Sequence, residues 1–367
     1  MAFWGDPAVT GLQGPEHELT VGDRAPNFVL PAATGKFLMF YDQTKGLQPV
    51  LLFAPGGGAT GAGAALQAVA DAASAFAERG LIPFCVSLDS VADNAALDYP
   101  FLTWSDPEKA ISRAYHAKLG LPFAAEAPAD MVTAVLLDAN QRVLAVRRGA
   151  DAALAAQVLD FYDSLPPPEA AEERGTNAPV LLIPRVLDRE TCRALIERWH
   201  VAGHEEGTVG LVAGGVERDT VAHEAKKRLD HSIADPELNR VLQRTIGRRI
   251  APEVEKAFQF QGFRFDRFLV VCYDAERGDH FRPHRDNTSP ETADRRFALT
   301  LNLNTEEYDG GALVFPEYGG HGYRPASGGA VVFSCSLIHT ALPPTRGRRF
   351  ALLSFLRSLP QQSAARR

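Results

Sequence analysis

Two rhythms of apolar and polar residues divide the chain. In the first half, short unbroken apolar runs alternate with longer helical stretches. Val50–Phe53 lies between Pro49 and Pro55 and is apolar at every position, which predicts a strand covered on both faces. Gly61–Glu78 is alanine-rich and predicts a helix, Leu81–Leu88 a second buried strand, and Pro107–Lys118 another helix. Met131–Leu137 and Val143–Arg147 predict a hairpin turned through Asp138-Ala139-Asn140-Gln141, and Ala152–Ser164 a closing helix. Strands alternating with helices predict an α/β sheet with helices on its faces.

The second half has a different rhythm. A strand over Pro179–Pro184 leads into a helix over Asp188–Trp199 with Asp188 as its N-cap, and Asp235–Phe258 carries one or two further helices. From Phe263 onward the pattern is strands and turns: Phe268–Tyr273, Phe297–Asn304, Ala312–Phe315, Gly329–Ser334 and Arg349–Phe355. Helices followed by many β-runs predict a β-sandwich or barrel flanked by helices. Between the halves, 166–178 is proline-rich and then charged, with no apolar stripe, and predicts a linker. The expected organisation is a first domain over 20–165 and a second over 179–358, a two-domain α+β protein.

Composition narrows the function. At 367 residues the chain exceeds the size of a single core. A formal net charge of −7 argues against a basic nucleic-acid-binding surface. No apolar window approaches a membrane span, and no secretory pattern opens the chain, so the expected location is cytoplasmic. The four cysteines, Cys85, Cys192, Cys272 and Cys335, are scattered without a C-x-x-C pair, and read as buried reduced thiols.

The sharpest chemical signal is His284-Arg285-Asp286. On a strand, residues two apart share a face, so imidazole and carboxylate converge. His339 follows 55 residues later. Two histidines and one carboxylate leave three positions open on an ion, the facial arrangement of non-haem Fe(II) oxygenases. Alone, a His-x-Asp also fits a surface ion pair. Arg349 leads the apolar run ending at Phe355, where a buried guanidinium needs an anionic partner; a solvated strand-edge charge is the simpler reading, and Arg348 fits it.

The ordered blocks resemble the 2-oxoglutarate/Fe(II)-dependent dioxygenases of the prolyl 4-hydroxylase-like branch. Val271–Asn287 resembles the family's Tyr…Gly…His-x-Asp segment, Arg296–Asn304 and Gly310–Pro316 its next strands, and Gly329–Phe355 its Gly…His…Gly-x-Arg close. The resemblance implies a double-stranded β-helix (jelly roll) with flanking helices. It implies Fe(II) on His284, Asp286 and His339, 2-oxoglutarate salt-bridged to Arg349, O₂ as co-reactant, and ascorbate as a candidate reductant. The implied activity is a hydroxylase that couples decarboxylation of 2-oxoglutarate to C–H hydroxylation. Its substrate would be a prolyl residue in a peptide or protein, or a small amino-acid-like molecule. Two positions depart from the family. Phe281 stands where a tyrosine is frequent, and Asn302 where a tyrosine helps hold the 2-oxoglutarate tail, leaving Asn302 and Tyr273 as candidates for that contact. His280 reads as a loop histidine. Lys226–His231 either borders the pocket or forms a solvated charged face, the second being the simpler reading.

The first half resembles the AhpC/TSA branch of the thioredoxin fold, through Val21–Phe28, Val50–Pro55, Val86–Ser90 and Trp104–Pro107. The family's peroxidatic cysteine falls at Gly63 here, in Pro55–Gly63, and no other cysteine is near. Peroxide reduction of that kind needs a thiolate. Cys85 lies inside an apolar strand, so the resemblance implies a thioredoxin-like domain without its redox chemistry. Such a domain would support a partner, a substrate or a homo-oligomer. Two alternatives to the hydroxylase remain: a thiol-dependent peroxidase, and a metal-binding sensor without turnover.

Overall fold

The computed structural model describes residues 18–56, 61–123, 130–167, 172–173, 175–213 and 216–359. Residues 57–60 of the glycine-rich loop and 168–171 and 174 of the linker lie outside them. The chain divides into two compact units, Met1–Ala170 and Ala171–Arg367.

The first unit is built on five strands in the order Leu102–Ser105, Leu81–Ser87, Gln48–Ala54, Val132–Leu137 and Val143–Gly149. The first three run parallel and the last two antiparallel. The unbroken apolar run of the central strand has a direct cause. Val50, Leu52 and Ala54 face the helices Gly61–Asp71 and Ala153–Asp163, while Leu51 and Phe53 face Phe28, Phe40, Trp104 and Tyr115. Both faces are core, so neither tolerates a polar position. The hairpin turn is held by Asp138, whose carboxylate accepts from the amides of Asn140 at 2.9 Å and Arg142 at 3.0 Å.

Two expectations shift. The alanine-rich helix is two helices, Gly61–Asp71 and Ala73–Glu78, parted at Ala72, and no glycine or proline marks the break. The helix expected from Pro107 starts at Ala110. Asp106, upstream of it, accepts from the amides of Ala110 at 3.0 Å and Ser112 at 2.8 Å, and so takes over the free donors of the first turn.

Among the described residues, the second unit is built on two large antiparallel sheets, with two short two-stranded ribbons beside them. The larger runs Val180–Ile183, Ala330–Ser334, Arg295–Asn302, Arg348–Ser358, Leu269–Asp274, Leu229–Ser232 and Glu205–Glu206, with Phe263–Phe265 added on Arg348–Ser358. The smaller runs Lys226–Lys227, His280–His284, His339–Ala341, Leu313–Val314 and Gly322–Tyr323. Strand alternation sorts the apolar residues between two cores. Val270, Cys272, Leu299, Val332 and Leu352 pack against the helices Arg189–Ala202 and Pro236–Phe258. Val271, Tyr273, Ala298, Phe333 and Ala351 point the other way, with Leu313 and Ala341 of the smaller sheet and Phe315 just past its strand. Sheets facing each other with helices behind the larger one make the jelly roll with flanking helices.

The caps follow their chemistry. Asp188 accepts from the amide of Thr191 at 2.7 Å, and Asp235 caps a single 23-residue helix with Pro236 in its first turn. Among the described residues, no helix is long and apolar enough to cross a membrane.

Candidate metal and cosubstrate site

His284 ends one strand of the smaller sheet and His339 begins its neighbour, and the two are register partners. Their rings lie 4.3 Å apart between centroids. Past His284 the chain leaves the strand, and the Asp286 amide donates to the Cys335 carbonyl at 3.0 Å. That bond aims the carboxylate back at both rings. Asp286 Oδ1 lies 3.4 Å from His284 Nε2, and Oδ2 lies 3.4 Å from His339 Nε2.

The outer nitrogens fix which face each ring presents. Nδ1 of His284 donates to the Arg282 carbonyl at 2.7 Å, and Nδ1 of His339 to the Leu337 carbonyl at 3.2 Å. With Nδ1 donating, the Nε2 of a neutral ring carries the free lone pair, the state a metal ligand needs. Burial keeps His339 below the ordinary imidazole range. Burial pushes the Asp286 carboxyl up, but His284 and His339 outweigh it and hold the group below the usual carboxylate range. Neutral imidazoles and an ionised carboxylate are the donor set for Fe(II). Their ligand atoms all lie within 4.8 Å of one another, as one ion requires.

The three open onto a cavity of about 610 Å³, counted out to solvent, that is also lined by Tyr273, Phe281, Thr300, Arg349, Leu353 and Phe355. Arg349 is 2% exposed, and its Nε and Nη1 have no hydrogen-bond partner. A buried guanidinium in that state is costly unless an anion joins it. Arg348, next in the chain, turns outward and pairs with Asp274 at 2.7 Å. Gly311 has φ +64°, and a Cβ there would lie 3.1 Å from Arg349 Cδ. The glycine leaves room for the arginine stem to reach the cavity. Triad and orphaned guanidinium in one cavity fit an iron and a dicarboxylate chelating it.

Tyr273 lines the same cavity beside its register partner Arg349, whose guanidinium carbon sits 5.2 Å from the tyrosine ring centroid. Asn302 does not line it. Its amide donates to the Pro325 carbonyl at 3.0 Å, which corrects the expected contact to the cosubstrate tail. Asn302 closes the strand where the chain turns under Pro325, and its donor is committed to that turn. On the same strand face, Thr300 lines the cavity instead. His280 is held by the Gly278 carbonyl at 3.0 Å and belongs to no ligand group.

The solvated reading of Lys226–His231 also fails. Lys226 and Arg228 are 6% and 5% exposed. Arg228 donates Nε to Asp230 Oδ1 at 2.7 Å, Nη2 to Asp230 Oδ2 at 3.1 Å, and Nη1 to the Tyr273 hydroxyl at 2.9 Å. Lys226 reaches the Thr208 carbonyl at 2.8 Å, and burial lowers its ammonium to about 8. Phe281, the departure from tyrosine, stacks on His284 at 3.5 Å between centroids and lies under Arg228 at 5.6 Å. The signal in the sequence was the opposite charges two and four apart: Lys226 ends up in the smaller sheet and Asp230 in the larger, and Arg228 between them reaches Asp230.

Residues 268–357 match the family model of the 2OG-Fe(II) oxygenase superfamily. The second unit contains a 2OG-Fe(II) oxygenase domain. Residues 21–145 match the AhpC/TSA family, so the first unit contains a thioredoxin-fold domain of that kind. The oxygenase half is similar to the PKHD-type hydroxylase azo0608 of Azoarcus sp. (strain BH72). The two are 33% identical over 110 residues, 28% of this chain and 48% of that protein. It is similar to a PKHD-type hydroxylase of Pseudomonas putida at 27% identity over 199 residues, 51% of this chain and 82% of that protein. The match thus spans about half the length of the Azoarcus relative and most of the Pseudomonas one. Among solved structures, a Pseudomonas putida prolyl-4-hydroxylase overlays with a TM-score of 0.38 at 20% identity, covering 50% of this chain and 94% of that one. Peroxidoxin BcpB from Mycobacterium tuberculosis overlays with a TM-score of 0.35 at 22% identity, covering 41% of this chain and 100% of that one.

Proposed function

We propose that the protein is an Fe(II)- and 2-oxoglutarate-dependent hydroxylase, with His284, Asp286 and His339 as the metal ligands. The observation that carries this is the orphaned guanidinium of Arg349, buried in the cavity onto which the triad opens. A scaffold that only held metal would have no use for it. When bound, iron with 2-oxoglutarate and O₂ would supply the oxidising chemistry, one oxygen atom of O₂ going into succinate as CO₂ leaves and the other into the hydroxylated C–H bond.

The chain's own residues bind and orient. Arg349 takes the distal carboxylate in charge-assisted hydrogen bonds. Tyr273 accepts from Arg228, which leaves its own hydroxyl proton free for an acceptor in the cavity. Phe281 fixes the His284 ring by stacking. Leu353, Phe355 and Phe333 give the cavity an apolar wall that limits water. The substrate is a prolyl residue in a peptide or protein, or a small amino-acid-like molecule. The prolyl class is suggested by the family resemblance.

The first unit does not favour a thiol peroxidase. Cys85 is fully buried, and burial pushes its thiol up to about 12. The test is succinate release from 2-oxoglutarate with Fe(II), across a panel of prolyl peptides and free amino acids. The proposal expects turnover in the wild type and background in His284→Ala. Equal background in both across the whole panel would sink it.

A further inference from the structure

The first unit has a cavity of its own, at the end of the central strand. It is bordered by Phe53, Ala54 and Pro55 from that strand, Ser112 and His116 from the helix Ala110–Lys118, and Arg148 from the strand Val143–Gly149. Two of its polar groups lack partners. Ser112 is 2% exposed and its hydroxyl makes no hydrogen bond, although helical serines commonly bond back to the preceding turn. Arg148 buries Nε without a partner. A buried donor without an acceptor is a cost that a ligand can remove.

His116 does not serve as a second cation there. Its Nδ1 donates to the Ser112 carbonyl at 2.8 Å, and its Nε2 accepts from the Thr133 hydroxyl at 3.2 Å. Burial and the nearby charge of Arg148 both favour the neutral ring. Among the described residues no acidic one lines the cavity, and the charge they bring to it is that of Arg148. The rest of the wall is apolar: Phe53, Pro55, Leu88, Pro122, Phe123 and Met131.

We propose that this cavity binds a small monocarboxylate, with its oxygens on Arg148 Nε–H and the Ser112 hydroxyl and its short apolar body against Phe53, Phe123 and Met131. One guanidinium matches one negative charge. A dianion such as phosphate would bring a second charge against an apolar wall and be disfavoured. A neutral amide would leave the guanidinium without its counter-charge. The unit thereby has a binding task that needs no cysteine. The inference does not depend on what the second unit catalyses.

The test uses the full chain and calorimetric titration with propionate, propionamide and inorganic phosphate. The cavity of Arg349 also attracts carboxylates, so the variants must separate the two sites. The expected result is a propionate Kd of about 1 mM. The expected loss is at least tenfold in Arg148→Gln and about threefold in Ser112→Ala, with little or no binding of propionamide or phosphate. Affinity for 2-oxoglutarate should be unchanged in both variants. The His116 ring resonance should move on propionate addition in the wild type and not in Arg148→Gln. Ser112→Ala removes one hydroxyl and keeps the test decisive should Arg148→Gln fold poorly. The proposal is overturned if propionate does not bind, if wild type and both variants bind it alike, or if propionamide or phosphate binds as well as propionate.

Discussion

Replacing Arg349 by methionine separates the needs of the cosubstrate from those of the fold. Methionine keeps an unbranched stem, which matters because Gly311 packs against Arg349 Cδ. It removes a guanidinium that is 2% exposed with two nitrogens unpartnered. In the ligand-free protein that change deletes a cost, because each buried donor without a partner is worth roughly 1–3 kcal/mol. The melting temperature of the ligand-free variant should therefore equal or exceed that of the wild type. In the loaded protein the same change removes the partner of a buried carboxylate. Losing one side of such a pair costs about 2–5 kcal/mol. Taking ~3 kcal/mol, the Kd for 2-oxoglutarate should rise by about 150-fold. The assay is anaerobic titration of 2-oxoglutarate into the Mn(II)-loaded protein, with metal content measured in parallel. Metal occupancy should be unchanged, since none of the three ligands is touched. The reasoning is refuted if Arg349→Met binds 2-oxoglutarate within threefold of the wild type. It is also refuted if the ligand-free variant melts several degrees lower, because the guanidinium would then have a structural partner.

Three further outcomes follow from other parts of the molecule. Arg228→Ala strips Asp230 and Tyr273 of their donor and leaves a buried carboxylate with only Lys226, so denaturant unfolding should show a loss of about 3–5 kcal/mol, against about 1 kcal/mol for Tyr273→Phe; equal losses would refute this reading of the network. Gly347→Ala forces a side chain to φ +73° with its Cβ 2.7 Å from the Glu307 carbonyl oxygen, and should cost about 2 kcal/mol or more, which a thermal melt reads. Cys85, with its thiol raised to about 12, should be ~10⁻⁴ thiolate at pH 8, and its thiolate fraction should grow about tenfold per pH unit up to that value. Native protein at pH 8 should therefore show no rapid labelling of Cys85 by a thiol reagent, and Cys85→Ser should leave peroxide consumption at background. Rapid labelling would show that the thiol is neither buried nor raised.

Much of the architecture was readable from local pattern. The continuous run Val50–Phe53 could only be a strand with core on both sides, because a period of two puts successive residues on opposite faces and every one was apolar. The cap at Asp188 was readable because a cap is satisfied within a few residues of sequence, and Asp235 caps the next helix by the same chemistry. His284, Asp286 and Arg349 were legible as candidates from the His-x-Asp pair and the charge leading an apolar run, although Asp286 lies past the end of the strand that holds His284 and is turned back by the Cys335 carbonyl. The broken helix at Ala72 left no trace in the sequence, since no residue there resists helix formation.

What only the tertiary structure decided involves partners far apart in the chain. His339 opposes His284 through strand pairing, a relation no spacing encodes. Lys226 and Arg228 look like a solvated stretch in one dimension, and become buried because Asp230 and the distant Tyr273 hydroxyl accept from Arg228. Asn302 had the right donor chemistry and the wrong surroundings, since Pro325 closes over it. The sequence thus marked the candidate residues for the oxygenase chemistry and placed Gly63 where the resemblance puts the redoxin half's cysteine. The fold decided which charges are paired. That pairing leaves Arg349 waiting for an anion in one unit and Arg148 with Ser112 in the other. The physical reason is that burial and pairing depend on the whole three-dimensional neighbourhood, whereas alternation and capping depend on a few residues.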